Sequence, residues 1–450
     1  MKINWLPLAA AVALAAGSVS ASAVDFHGYF RAGAQLSTHG GEVYCLGNGN
    51  AGHKVGRLAD ECDTYGETTL SQEVYNKANS KFTVNTLFAY GSQEGSQDLQ
   101  GNDWQGVGGN GPWAGQRLSF REMYAKYDTA DGYSIWAGKR YYQRKDIYIM
   151  DFYYLNNSGH GTGIENIDVG AGNLNFAVVK FVNDDNEGLN RNVYKLDARW
   201  NAIPVGFGKL DASLIYGLPA ISDYQKDENG RSAPSNSGVL LTLDHVSDIA
   251  NNDGSFTLNN HLIFQWGTNG FGYVGAYGNH TGGNYSPDVD VTGVRLIDWG
   301  VMDFGSNIDV GYSLFWSHLD NGNKHDLTKS WTERRSGWEY SIVIRPEYKW
   351  TEFTRTTLEL GYSQMKTPVK YDGDPKKLYL FGYEDPDAYK FTIAQQFTPG
   401  KGFWSRPAIR FYASYIGGDQ FAHDGPNYST KNASHHNHQF TFGTQVEAWW

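Results

Sequence analysis

Hydrophobic and polar residues alternate along most of this chain with a period of two. In His438–Trp450, one parity holds Phe440, Phe442, Thr444, Val446, Ala448 and Trp450, and the other Gln439, Thr441, Gly443, Gln445, Glu447 and Trp449. Side chains of an extended strand point to opposite faces in turn, so the segment reads as a strand with one apolar and one polar face. Near the other end, Phe26, Gly28, Phe30 and Ala32 alternate with Asp25, His27, Tyr29 and Arg31. The same pattern recurs around Leu196, Leu214, Leu314, Ile342, Leu360 and Phe411. Trp200, Trp316, Trp338 and Trp350 fall at or near the ends of these runs. Some connections read as short turns, such as Asp320–Asn323. Others are long and rich in Gly, Asn and Asp, such as Gly91–Gly115, Ser222–Ser237 and Gly418–Asn437.

No apolar run of helix-spanning length follows Val24. Alternation sustained along the whole chain therefore predicts an all-β fold, a transmembrane antiparallel barrel with its apolar face to lipid and its polar face to water. Its first and last strands must pair, which sets Tyr29 beside Trp449 on the inner wall. At ~24 residues per strand and connection, the chain builds roughly 16 to 20 strands, enough to enclose an aqueous channel. A half-buried strand of a soluble sheet would alternate in the same way. Persistence along the chain and the terminal aromatic, Trp450, weigh against that reading.

Composition refines this picture. Residues 1–23 carry Lys2, an Ala-rich apolar stretch and the small-residue site Ala21-Ser22-Ala23, the pattern of a cleaved secretory signal peptide. Residues 24–450 then form a single barrel domain without composition breaks. The net charge of −11 speaks against a nucleic-acid partner. The two cysteines, Cys45 and Cys62, lie close together in an exported chain, so a local disulfide is expected, stabilising by about 3 kcal/mol in the chain-entropy model.

Enzyme signatures are absent: there is no G-x-S-x-G elbow, H-E-x-x-H, P-loop or Cys-x-x-Cys. His435, His436 and His438 read as a solvated loop rather than a metal site, and the spacing of Asp146 and Asp151 does not single them out as a glycosidase pair. No cofactor is expected. The informative stretch is Trp136–Tyr154, a strand running into a loop that interleaves both signs of charge with tyrosines. Inside a wide barrel such a loop can fold inward and narrow the channel.

Several blocks together carry a resemblance. They are Val24-Asp25-Phe26-His27-Gly28-Tyr29, Cys62-Asp63-Thr64-Tyr65 with Gln72-Glu73-Val74, Ile135–Tyr154, Gly163–Gly170, Ala394-Gln395-Gln396 with Trp404–Arg410, and Phe442–Trp450. With these the chain resembles the maltoporin family of sugar-selective outer-membrane porins, more loosely in its middle third. The resemblance implies an eighteen-stranded barrel, a homotrimer, an inward-folded constriction loop and a lumenal path of aromatics flanked by charges. It implies passive diffusion of maltose and maltodextrins, with a periplasmic sugar-binding protein or a phage as further partners. Tyr29, Tyr65 and Trp449 match aromatic-path positions. Trp104 matches the aromatic lent by a neighbouring subunit, with Trp113 as its rival. Phe397 occupies a path position where the family usually has Trp, although simple alternation turns it outward unless the strand bulges near Gln395-Gln396. A further path aromatic belongs around Phe256–Leu262. The polar track maps to Arg31, Arg57, Glu67, Arg121, Arg144, Asp146 and Asp151, and the constriction tyrosine to Tyr153. The rival readings are a porin for sucrose, aryl-glucosides or other oligosaccharides, and a secreted β-sandwich carbohydrate-binding module or glycosidase. Peptide mass mapping of the exported protein should find Cys45 joined to Cys62, and two free thiols would contradict the pairing.

Overall fold

The computed structural model describes residues 24–38, 43, 45–46, 53–92, 105–106, 116–184, 190–220, 237–275, 291–305, 307–320, 337–366, 387–420 and 438–450. Residues 1–23, Trp104, Trp113, His435 and His436 lie outside the described residues. Among the described residues, one antiparallel sheet contains every strand. Eighteen of its strands are long, running from Asp25–Ser37 to His438–Trp449, and the nineteenth, Gln105–Gly106, is a two-residue edge piece beside Gln116–Asp128. Each long strand pairs with its neighbour in sequence, and the last pairs with the first, so the sheet closes into a barrel. Closure places Tyr29 directly opposite Trp449.

The alternation assigns the faces. In the last strand Gln439, Thr441, Gln445 and Glu447 are buried inward, whereas Phe440 and Phe442 are exposed outward. The outer wall carries Leu196, Leu214, Leu314, Ile342, Leu360 and Phe411, all exposed. Connections on one rim are short, as at Ala78–Asn79, where two left-handed residues give the twist a tight hairpin needs. Those on the other rim are mostly long. Of the turn expected at Asp320–Asn323, Asp320 ends a described strand and Asn321, Gly322 and Asn323 lie outside the described residues.

Among the described residues, three segments from the long rim fold into the barrel. The first is residues 145–155. Its apolar side chains Ile147, Ile149, Met150, Phe152 and Leu155 pack on an apolar patch of the inner wall made by Val193, Ile215, Leu240, Ile263, Ile297, Phe315 and Val343. Burying that many large side chains is the main term holding the loop, at about 1.5–3 kcal/mol each. Polar ties fix its register: Lys145 Nζ reaches Asp211 at 2.6 Å and Asp244 at 2.7 Å, and Tyr154 Oη donates to Asp244 at 2.9 Å. A second inward piece is the short 3-10 turn Asn269–Gly275, with Phe271 and Val274 in the same apolar cluster.

The remaining segment carries the disulfide, formed between Cys45 and Cys62 as expected. Its backbone lies so close to the wall that Gly361 has no room for a Cβ, which would collide with the Val55 carbonyl oxygen. The wall receives it with buried charges. Glu359 accepts from Leu58 N–H at 2.9 Å and from Arg345 Nε at 2.6 Å, while Lys390 Nζ donates to the Leu58 carbonyl at 2.8 Å. The two large inward loops also bond each other, His53 N to Met150 O at 2.8 Å and Arg57 N to Ile149 O at 3.0 Å. Removing one partner of such a buried ionic set leaves the others uncompensated, at about 3–5 kcal/mol. Glu359→Ala should therefore lower the temperature at which the folded barrel converts to its slow-migrating unfolded form on gels, and an unchanged transition would contradict the docking described.

Candidate functional site

The inner wall and the inward loops bring aromatics and charges to one side of the lumen. Tyr29 and Tyr65 come from adjacent strands, and their ring centroids lie 6.2 Å apart. Trp449 joins from the closing strand. Tyr148, on the short 3-10 turn of the inward loop, meets Trp449 edge-on at 5.1 Å and Trp404 at 5.3 Å. Apart from buried Phe403 behind Trp404, these rings keep part of their surface open to the lumen. The run is thus Tyr65, Tyr29, Tyr148, Trp449 and Trp404.

Charged groups flank it. Arg57 Nη2 donates to Tyr29 Oη at 2.7 Å, pairs with Glu447 at 3.1 Å and lies 4.4 Å over the Tyr148 ring. Glu447 also receives Arg406 at 2.9 Å, Arg410 at 2.7 Å and the hydroxyls of Tyr29 and Tyr148. Arg31 holds Asp63 through two bonds of 2.9 Å and reaches Asp151 at 3.2 Å. Glu67 sits opposite Tyr29 in register and accepts from Tyr65 Oη at 2.5 Å. Arg121 is the extra residue of a bulge between the pairs Leu87–Glu122 and Phe88–Phe120, a device that re-aims a side chain. Arg144 lies 4.0 Å from the Tyr141 ring centre and 4.1 Å from that of Tyr153. Asp146 feels both Arg144 and Asp151.

Most of the residues expected in the path and track are therefore brought to one surface: Tyr29, Tyr65, Trp449, Arg31, Arg57, Glu67, Arg144, Asp146, Asp151 and Tyr153. Phe397 is not. Its strand pairs without a register break through Gln395 and Gln396, so Phe397 stays on the parity of Phe391 and Ile393. Its ring is exposed on the outer wall and packs against Phe411. Trp404, in the turn that follows, takes the inner position. The aromatic expected around Phe256–Leu262 is also displaced. Phe256 packs on Phe304 in the short turns, and Leu262 points outward. The inward ring in that quarter is Trp299, on the paired strand, stacked on His261 at 4.4 Å. Tyr148, Glu447 and Arg410 were missed, although the parity of Trp449 already marks Glu447 as inward.

His53, Glu61 and Asp151 place three possible metal donors within 4.8 Å of one another. The chemistry of the set favours ion pairing instead. Arg31 Nη1 bridges Glu61 and Asp151 at 3.1 and 3.2 Å, and Arg57 also pairs with Glu61. Two guanidiniums thus hold the oxygens a cation would need.

The pairing has a pH consequence. Burial pushes the Asp151 carboxyl up, but Arg57 and Arg31 outweigh it and hold the group well below the usual carboxylate range. A depressed carboxylate contributes its full stabilisation above its unfolded pKa and loses it only as pH falls through the depressed value. The tie between the constriction loop and Arg31 should survive at pH 4. Removing the charge is a different matter: Asp151 sits in left-handed backbone, φ 48°, which Asn also tolerates. Asp151→Asn should shift the reversal potential in a salt gradient toward anions, and no shift would remove Asp151 from the ion path.

The chain is similar to known proteins. A model of the LamB porin family matches residues 24–450. A maltoporin of Hahella chejuensis is 34% identical over 451 aligned positions, covering 99% of this chain and 97% of that protein. Among solved structures, Pseudomonas aeruginosa OccK8 (OprE) superposes with a TM-score of 0.48 at 11% identity, covering 95% of this chain and 98% of that one. Acinetobacter baumannii OccAB2 gives 0.47 at 12%, covering 94% and 96%.

Proposed function

The chain belongs to the LamB porin family of outer-membrane sugar channels, which are not enzymes, and from that premise we propose that it conducts maltose and maltodextrins by passive diffusion. The observation that carries this reading is the continuous run of half-open rings beside ions of both signs. A pyranose has faces rich in C–H and an equator of hydroxyls. Each ring covering ~80 Å² of a sugar face contributes about 2 kcal/mol. Arg31 and Asp151, half-buried beside the rings, can bond the hydroxyls, while Arg57 and Glu447 are buried behind the rings and hold them in place; charge-assisted bonds are the stronger kind. Because these ions are already paired with each other, a passing hydroxyl exchanges partners and no group is left bare between steps. Each station stays weak, as conduction requires.

We extend the proposal to a homotrimer in which Trp104 or Trp113 reaches a neighbouring lumen, and to surface partners, a periplasmic sugar-binding protein or a phage, on the two rims. The path residues are assigned here as Tyr65, Tyr29, Tyr148, Trp449 and Trp404, with Trp299 as an additional ring on the strand beside His261.

In planar bilayers maltodextrins should block ion current more strongly as they lengthen. Equal block by sucrose and maltohexaose would contradict the selectivity and favour a porin for other sugars. Trp449→Ala and Trp404→Ala should each weaken maltohexaose block by roughly thirty-fold, the loss of about 2 kcal/mol of contact, whereas Phe397→Ala should leave it unchanged. Weakening by Phe397→Ala alone would return the path to that residue.

A further inference from the structure

The connection at residues 398–407, between strands Asp387–Phe397 and Ala408–Gly417, does not stay on the short rim. Phe403 is buried in the apolar cluster that also receives the constriction loop. Its ring lies on Gly311, where a Cβ would collide with it. Gly311 belongs to Ile308–Asp320, three strands along the sheet from Asp387–Phe397. Trp404 is the next residue. It stays exposed, edge-on to Phe403 at 4.6 Å and to Tyr148 at 5.3 Å. The turn thus leaves its own hairpin to carry an indole into the lumen.

That indole needs holding. Within the turn, Ser405 N–H bonds the Gly402 carbonyl at 3.0 Å. Two glycines precede the ring, however, and Gly400 has a φ of +80°. Glycine leaves a chain conformationally free. Arg355, on the neighbouring strand Thr354–Lys366, supplies the restraint. Its Nη2 donates to the Gly400 carbonyl at 2.8 Å and its Nη1 to the Gly402 carbonyl at 3.0 Å. Glu347 holds the guanidinium at 2.9 Å, and Thr357 Oγ1 donates to Glu347 at 3.1 Å. The Arg355 side chain is only 3% exposed, so a passing sugar cannot touch it. A planar guanidinium serves two carbonyls and a carboxylate at once, whereas a Lys ammonium is a point donor on a flexible stem. Beyond Trp404 the chain is tied again, Arg406 to Glu447 at 2.9 Å.

We propose that Arg355 is a positioning residue of the sugar path. It clamps the turn so that Trp404 stands in line with Tyr148 and Trp449, and it raises the affinity for maltodextrin without touching it. This inference rests on the sugar path proposed above. A buried ion that served only the fold would act equally whether or not residue 404 carried a ring. A clamp acts only through the ring it aims.

A double-mutant cycle on the full folded protein, read as maltohexaose block of ion current, separates the two. Arg355→Lys keeps the charge opposite Glu347 and loses the fork. It should weaken block by about tenfold, within the range seen for coupled neighbours. On a Trp404→Ala background the same change should cost less than about twofold, because the aimed ring is gone. The fast-migrating folded form on gels checks that each variant assembles. Should Arg355→Lys not assemble, Phe403→Leu, at the other attachment of the turn, carries the same cycle with the same readings. Equal losses in both backgrounds would overturn the positioning role. So would an unchanged block in Arg355→Lys where Trp404→Ala alone weakens it, and either result would leave the sugar path standing. Unchanged block in Trp404→Ala would instead remove Trp404 from the path, and the role of the clamp with it.

Discussion

A strand that meets hydrocarbon cannot leave its backbone groups unbonded, and no water is available there to bond them. The rest of this structure follows from that constraint. Every wall strand must have a neighbour on both sides, so the last must return to the first, as the pairing of Tyr29 with Trp449 shows. Once the sheet is closed, the period of two separates the side chains into two populations. One meets lipid and is apolar. The other is enclosed, and its chemistry is free to serve the channel.

That freedom is used unevenly around the circumference. Part of the inner wall is apolar because it is covered: Val193, Ile215, Leu240 and Val343 receive the constriction loop. Another part is densely ionic because the disulfide-bearing loop docks there through backbone groups, which Glu359, Lys390 and Arg345 satisfy. The remaining arc faces open lumen, and there the rings and the paired ions lie. The loops therefore do more than narrow the barrel. They deliver Arg57 and Tyr148, two members of the path that no wall strand carries.

The division between what the sequence made legible and what it did not has the same physical origin. Alternation is a strand property, so strand faces, closure and the inward side of Trp449 could all be read from residue order. The inward loops have no period. Their docking depends on contacts between residues hundreds of positions apart, such as Leu58 with Glu359, and only the coordinates reveal it. Phe397 illustrates the hazard of overriding the pattern: alternation turned it outward, the resemblance turned it inward, and the unbroken ladder sides with alternation. Trp404 escaped notice because it lies in a turn, where parity says nothing. Trp299 falls outside Phe256–Leu262 because the partner strand of the same hairpin carries the ring.

The central claim is that oligosaccharide travels along one arc of the lumen, over Tyr65, Tyr29, Tyr148, Trp449 and Trp404. The most direct measurement is an experimental density map of the protein with maltohexaose bound. The prediction is of consecutive glucose rings lying flat against those side chains, their hydroxyl edges toward Arg31 and Asp151. Sugar density lodged elsewhere in the lumen, or stacked on none of these rings, would contradict it.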